Sequence, residues 1–270
     1  MALSKRQRAQ TFRIAQYGLL VVIVVVLALI ADWGEIQRAF FRLDIAAGMF
    51  PNAITTALKN TIVYTALGFV FGLVVGLVLA LMKLSPVPPY RWIATIYIEF
   101  FRGIPALLVF IAISFGVPLA FQIQFDIYST VMLALGIVGA AYMAETIRAG
   151  IQAVPKGQIE AARSLGMSQG RTTLTVVIPQ AFRIILPPLT NELIMLTKDS
   201  SLIYIIGLAR EQYELTKFGR ETLSRSVSLT PILVIGLCYL IITLPLGHLS
   251  RHLEKRTGGK KIDTPESTGV

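Results

Sequence analysis

The sequence predicts an all-α integral membrane protein with about six transmembrane helices, and three observations carry that prediction. Hydrophobic residues make up 54% of the 270 residues and charged ones 15%, against roughly 25% charged in ordinary soluble domains. Six apolar runs approach the roughly 20 residues that a helix needs to cross a hydrocarbon core about 30 Å thick. A backbone in lipid must satisfy its own hydrogen bonds, which selects helices for runs of this length. The formal net charge of +10 would suit nucleic acid in a soluble chain. Here Lys and Arg collect at the ends of apolar runs, so they signal topology, and no nucleic-acid partner is expected. Cys238 is the one cysteine and has no intrachain partner for a disulfide.

The first run, residues 17–31, follows a basic segment, 1–16, that carries Lys5, Arg6, Arg8 and Arg13. That layout also fits a signal peptide. No small-residue cleavage site follows, since Ala31 leads into Asp32, Trp33 and Gly34, so the run is read as a retained helix. The others cover residues 54–82, 92–119, 129–147, 184–208 and 231–249. With the N-terminus in the cytoplasm, six crossings put Lys83, Arg91, the segment 148–183 and the basic tail on the same side, the positive-inside pattern. The loop 208–230 carries both signs and favours neither orientation. Residues 252–270, polar and rich in helix breakers, read as a disordered cytoplasmic tail.

One polar interruption, residues 157–179 (GQIEAARSLGMSQGRTTLTVVIP), separates two of these runs. Pro155 suits the start of a helix, Gly166 suits a helix C-terminus that needs positive φ, and Ser168 suits the N-cap of a second helix. Two short helices joined by a sharp turn are expected, with Pro179 ahead of the next span. Ile159, Ala162 and Leu165 recur at helical spacing, and the small Ala161 and Ala162 would let another backbone approach. The segment either docks a protein or lies on the lipid headgroups.

Polar residues inside a span are expensive and default to facing a cavity or a partner. The fifth run carries Asn191, Glu192, Lys198 and Asp199; with Met195 and Leu202 they occupy a helical arc of roughly 120°. Such a face suits an amino acid, Lys198 attracting its carboxylate and Asp199 or Glu192 its ammonium. It equally suits charges paired internally along an interface with a second membrane chain. Pro187 and Pro188 are expected to break or bend the helix before this face. Glu145 with Arg148, and Glu99 with Arg102, stand at ion-pair spacing. Both pairs sit near a cytoplasmic end, where structure is the commoner role. His248 and His252 stand at i, i+4 but have no third ligand nearby, so no metal site is expected. No nucleophile–base set is apparent, and no catalytic residue is assigned.

The polar segment resembles the EAA motif, EAA-x3-G-x9-I-x-L-P, of permease subunits from ABC importers. Glu160, Ala161, Ala162, Gly166, Val176, Ile178 and Pro179 meet it, with Val and Ile standing for Ile and Leu. The likeness extends over about residues 50–251, through YIEFFRGIPALLVF, AAYMAETIRAGIQAVPKGQIEAARSLG and NELIMLTKDSSL, stretches similar to the polar amino-acid branch of glutamate, glutamine, histidine and arginine importers. The resemblance implies a type I importer permease fold: a five-helix transmembrane domain at 50–251 with a coupling loop at 155–179, and 17–31 as an additional helix.

It also implies that Glu160, Ala161, Ala162, Gly166 and Pro179 meet an ATPase subunit; the polar residues within the spans, Asn191, Glu192, Lys198, Asp199 and Glu145, are assigned to the substrate pathway. Implied partners are two ABC ATPase subunits, a second permease of the same or a related chain, an extracytoplasmic amino-acid-binding protein and membrane lipid, in a prokaryotic cell membrane. No GxxxxGK[ST] phosphate loop is present, so ATP and Mg2+ would be bound by the partner subunits and hydrolysis would lie outside this chain. An ion-coupled carrier or channel, or a non-transporting scaffold, are the alternatives; the first lacks a reason for a docking segment and the second for a polar face in the fifth span.

Overall fold

A computed structural model describes the backbone of residues 5–257 and the side chains of residues 10–256. The side chains of Lys5, Arg6 and Arg8 and most of the expected disordered tail lie outside the described residues. The described chain is helical throughout. α1 (Lys5–Ile30), α2 (Trp33–Phe40) and α3 (Leu43–Asn52) lead through a π-helical turn, Ala53–Leu58, into α4 (Lys59–Leu84). α5 (Pro88–Gly103), α6 (Ala106–Ile111) and α7 (Val117–Phe121) precede α8 (Ile127–Gln152). The short α9 (Lys156–Ser164) and α10 (Gln169–Thr172) then lead to α11 (Ile178–Asp199), α12 (Leu215–Ser226) and α13 (Thr230–Thr257). Five stretches are long and apolar enough to span a membrane, and the bent pair Pro88–Gly103 with Ala106–Phe121 makes a sixth.

That bent pair corrects one expectation. Residues 92–119 read as one uninterrupted run, but the chain turns by 106° between Gly103 and Ala106. Pro105 disfavours the helical region for the residue before it, and Ile104 accordingly sits at φ −107°, ψ 149°. Pro187 and Pro188 behave in the opposite way: both lie inside α11, which stays helical from Ile178 to Asp199. The missing N–H groups leave the Arg183 and Ile184 carbonyls, four residues back, without their helical donors, while side chains bond the carbonyls beside the prolines. Thr190 Oγ1 donates to the Leu186 carbonyl at 2.9 Å and Ser250 Oγ of α13 to the Pro187 carbonyl at 3.4 Å.

α4 and α8 form the central packing pair, and small residues bring their backbones together. A Cβ on Gly76 would stand 3.0 Å from both the Ala140 carbonyl oxygen and Met143 Cβ, so nothing larger fits without moving a backbone. α5 crosses this pair and is tied down by Tyr97, whose hydroxyl donates to the Ile137 carbonyl at 2.9 Å. α1 is different: no residue of the apolar stretch Gln10–Ile30 is buried against the rest of the chain.

The loop 208–230, read as mixed in charge, contains α12. Glu214 caps its N-terminus, accepting from the Thr216 N–H at 2.5 Å and the Lys217 N–H at 2.6 Å. The signal in the sequence was weak, because Glu is not among the favoured capping residues. Glu214 is 0% exposed. The Tyr239 hydroxyl of α13 donates to it at 3.3 Å, while Thr61 Oγ1 of α4 accepts from the Leu215 N–H at 3.1 Å. Burial pushes its carboxyl up from an ordinary 4.5 to about 7, against the pull of the Thr216 and Lys217 N–H groups.

A carboxyl raised on folding contributes stability that is full below its unfolded value and is lost as pH rises through the folded one. Thermal unfolding of the purified protein in lipid nanodiscs is therefore expected to show stability falling by on the order of 3 kcal/mol between pH 4.5 and 7.5. Glu214→Gln should flatten that dependence. An equally steep profile in the variant would take the effect away from Glu214.

Candidate functional site

The polar interruption folds as the sequence predicts, with small shifts. Pro155 sits one residue before α9 as its cap, at φ −58°, ψ 127°. Gly166 has φ +81°, a conformation that costs an L side chain about 1–2 kcal/mol. It closes a Schellman motif: the Met167 N–H donates to the Ala162 carbonyl at 3.2 Å and the Gly166 N–H to the Arg163 carbonyl at 3.0 Å. Ser168 Oγ then accepts from the Arg171 N–H at 3.4 Å and caps α10. Pro179 does not precede the next span but lies in the first turn of α11, where a missing N–H costs nothing.

The helical stripe of the segment divides. Ile159 packs onto the cluster built by α4, α5, α8 and α11, and Ala162 is 7% exposed, so both face their own chain. Glu160, Ala161 and Gly166 face outward. Leu165 is 84% exposed and Leu174 66%. Leu165 follows the last residue of α9, so helical periodicity no longer governs its direction. Its exposure could not be read from the stripe.

The second feature is a cavity of about 390 Å³ beside the break of the bent span, lined by Ile104, Ala106, Tyr142, Glu192, Met195 and Asp199 among others. α11 thus brings Glu192 and Asp199 together, and Arg102 lies over the Tyr142 ring, 5.5 Å from its centroid. The predicted polar face is wider than this cavity. Asn191 is at its other edge, where Ser250 Oγ of α13 donates to Asn191 Oδ1 at 2.9 Å. Lys198 is exposed and does not line the cavity. Leu202 falls in the 3-10 turn Ser200–Ile205, beyond the α-helical register.

Glu145 is engaged elsewhere. Arg148 Nε stands 3.1 and 3.0 Å from its two oxygens and Lys83 Nζ of α4 is 3.2 Å from Oε2. Glu145 is therefore the centre of an ion cluster and does not line the cavity; the i, i+3 pair with Arg148 forms as the spacing predicts. The pair Glu99–Arg102 does not form. Glu99 stands 3.9 Å from Lys83, and Arg102 turns to Tyr142.

An outward-facing polar hairpin beside a bundle of spans, with a charged cavity between helices, defines a multi-pass membrane transport subunit. The chain belongs to the family of binding-protein-dependent transport system inner membrane components, which matches residues 68–259. It is 36% identical over 203 residues to the arginine transport system permease protein ArtQ of Bacillus subtilis, covering 75% of this chain and 91% of that one. To the probable glutamine ABC transporter permease protein GlnM of the same organism it is 36% identical over 197 residues, 73% of this chain and 89% of that one.

The crystal structure of an amino acid ABC transporter with histidines superposes at a TM-score of 0.70 and 36% identity, covering 78% of this chain and 96% of its own. The MetNI methionine ABC transporter, at 20% identity and a TM-score of 0.57 over 74% of this chain and 92% of its own, shares the fold. The protein has the type I ABC importer permease fold and is a permease of an amino-acid ABC importer.

Proposed function

We propose that the chain forms half of the translocation pathway of an importer for polar amino acids, driven by ATP hydrolysis on two partner ATPase subunits that hold ATP and Mg2+. The observation that carries this reading is the cavity that brings Glu192 and Asp199 together beside the broken span. Two carboxylates there suit the ammonium of an α-amino acid or a basic side chain, and Arg102 is the nearby cation for its carboxylate. The hairpin of α9 and α10 supplies the docking element, with Glu160, Ala161, Gly166 and Leu165 toward the ATPase. A second permease covers the edge of α11 that carries Lys198. The N-terminus, C-terminus and hairpin are cytoplasmic, which puts α12 outside. There Arg210, Glu211, Glu221 and Arg225 line a further cavity of about 390 Å³, a charged surface suited to the binding protein. We assign 50–251 as the transporting domain and α1 as a helix outside it, in contact with lipid.

Reconstitution in proteoliposomes with the ATPase subunits, the second permease and the binding protein tests this. Uptake of a labelled polar amino acid should require ATP and should not respond to an imposed ion gradient. Gradient-driven uptake without ATP would make the chain a carrier, and no uptake under either condition would leave a scaffold.

A further inference from the structure

The ion cluster around Glu145 is not used by either feature above, and it connects them. It begins at Gln152, the last residue of α8, three residues before the cap of α9. The Arg148 guanidinium donates to the Gln152 side chain and to Glu145. Glu145 in turn accepts from Lys83 of α4 at 3.2 Å, and Lys83 reaches Glu99 of α5 at 3.9 Å. α4 and α8 are thus tied by charge at the end that carries the docking hairpin, with a looser, solvent-exposed ion pair reaching α5 through Glu99. The side chains of Lys83, Glu145 and Arg148 are 19%, 25% and 24% exposed, so the cluster is shielded enough for its charge-assisted bonds to hold against water.

Farther along, α4 and α8 meet through small residues such as Gly72 and Gly76, and the Tyr97 hydroxyl holds α5 to the Ile137 carbonyl of α8 at 2.9 Å. Those contacts hold the helices by close packing and one neutral hydrogen bond, whereas the hairpin end is held by charge. A displacement entering α8 at its hairpin end meets the ion cluster first, before it reaches the packed length of the helices.

We infer that Glu145 is a positioning residue for energy coupling: by binding Arg148 and Lys83 together, it makes α4 and α5 move with α8 when the hairpin is displaced. This rests on the ATP-driven reading proposed above. Without the clamp, the ATPase subunits still dock and hydrolyse ATP, but the displacement of α8 is not passed on to the bent span that borders the cavity. Coupling is a free energy linking two sites, and losing it should change the ratio of ATP hydrolysed to amino acid transported by about tenfold.

The test uses the full complex in proteoliposomes, with ATP hydrolysis and uptake of labelled arginine and glutamine measured on the same preparation. Glu145→Gln and, independently, Lys83→Met should keep the ATPase subunits bound and raise the ATP-to-solute ratio about tenfold. Glu145→Asp, which keeps the charge, should restore part of it. An unchanged ratio in both variants, or hydrolysis and uptake falling in step, would overturn the inference and leave the cluster a stabiliser of the fold. Absence of ATP-dependent uptake in the wild type would instead overturn the reading on which it rests.

Discussion

Leu165→Asp is expected to separate this permease from its ATPase subunit while leaving the permease folded. The side chain is 84% exposed at the turn after α9, so removing it opens no cavity. An apolar anchor at the centre of a protein interface contributes about 2 kcal/mol or more, roughly 30-fold in affinity, and a carboxylate buried in its place adds a desolvation cost. Affinity-tagged ATPase subunit should retain the wild-type permease on a column and lose the variant, while thermal unfolding of the permease stays unchanged. Ile159→Asp makes the contrast, since Ile159 packs into the helix cluster and its replacement should destabilise the chain itself. Retention of Leu165→Asp at wild-type affinity would move the docking surface away from the hairpin tip.

The second large effect is expected from Glu192→Gln and Asp199→Asn. Both carboxylates line the cavity next to the broken span, and a charge-assisted hydrogen bond to a ligand ammonium is worth about 1.5–3 kcal/mol, or roughly tenfold or more in affinity. Uptake in proteoliposomes should fall by about that factor in each variant, with ATP hydrolysis and subunit assembly retained. Lys198→Met should cost less, because Lys198 does not line the cavity. Normal uptake by Lys198→Met, with normal assembly, removes Lys198 from the pathway; normal uptake by both carboxylate variants removes the cavity.

The hairpin was legible because its determinants are local. A capping Ser, a Gly at positive φ and a Pro at a helix start each act within four residues, so Ser168, Gly166 and Pro155 could be assigned from their neighbours alone. Direction was not legible there. Ala162 and Leu165 share a stripe on a helical projection, yet Ala162 is buried against its own chain and Leu165, past the helix end, faces outward. The polar face of α11 failed in a related way. An arc of roughly 120° is wide enough for its two edges to meet different neighbours, so Asn191 pairs with α13 while Glu192 and Asp199 face the cavity. α12 was missed because its cap is a buried Glu whose partner Tyr239 lies on another helix, as does Thr61, which accepts from the adjoining Leu215 N–H.

By itself the sequence determined that the chain is a bundle of membrane helices, where the spans lie, and that one polar hairpin interrupts them, because hydropathy and helix-end chemistry are set by residues close together in the chain. Only the tertiary structure decided that Pro105 breaks a span while Pro187 and Pro188 do not, and that Glu145 takes Lys83 as a partner. The outcome at a proline depends on how the rest of the bundle packs around it, and an ion pair between helices depends on which helices pack together. Neither is encoded within any one span.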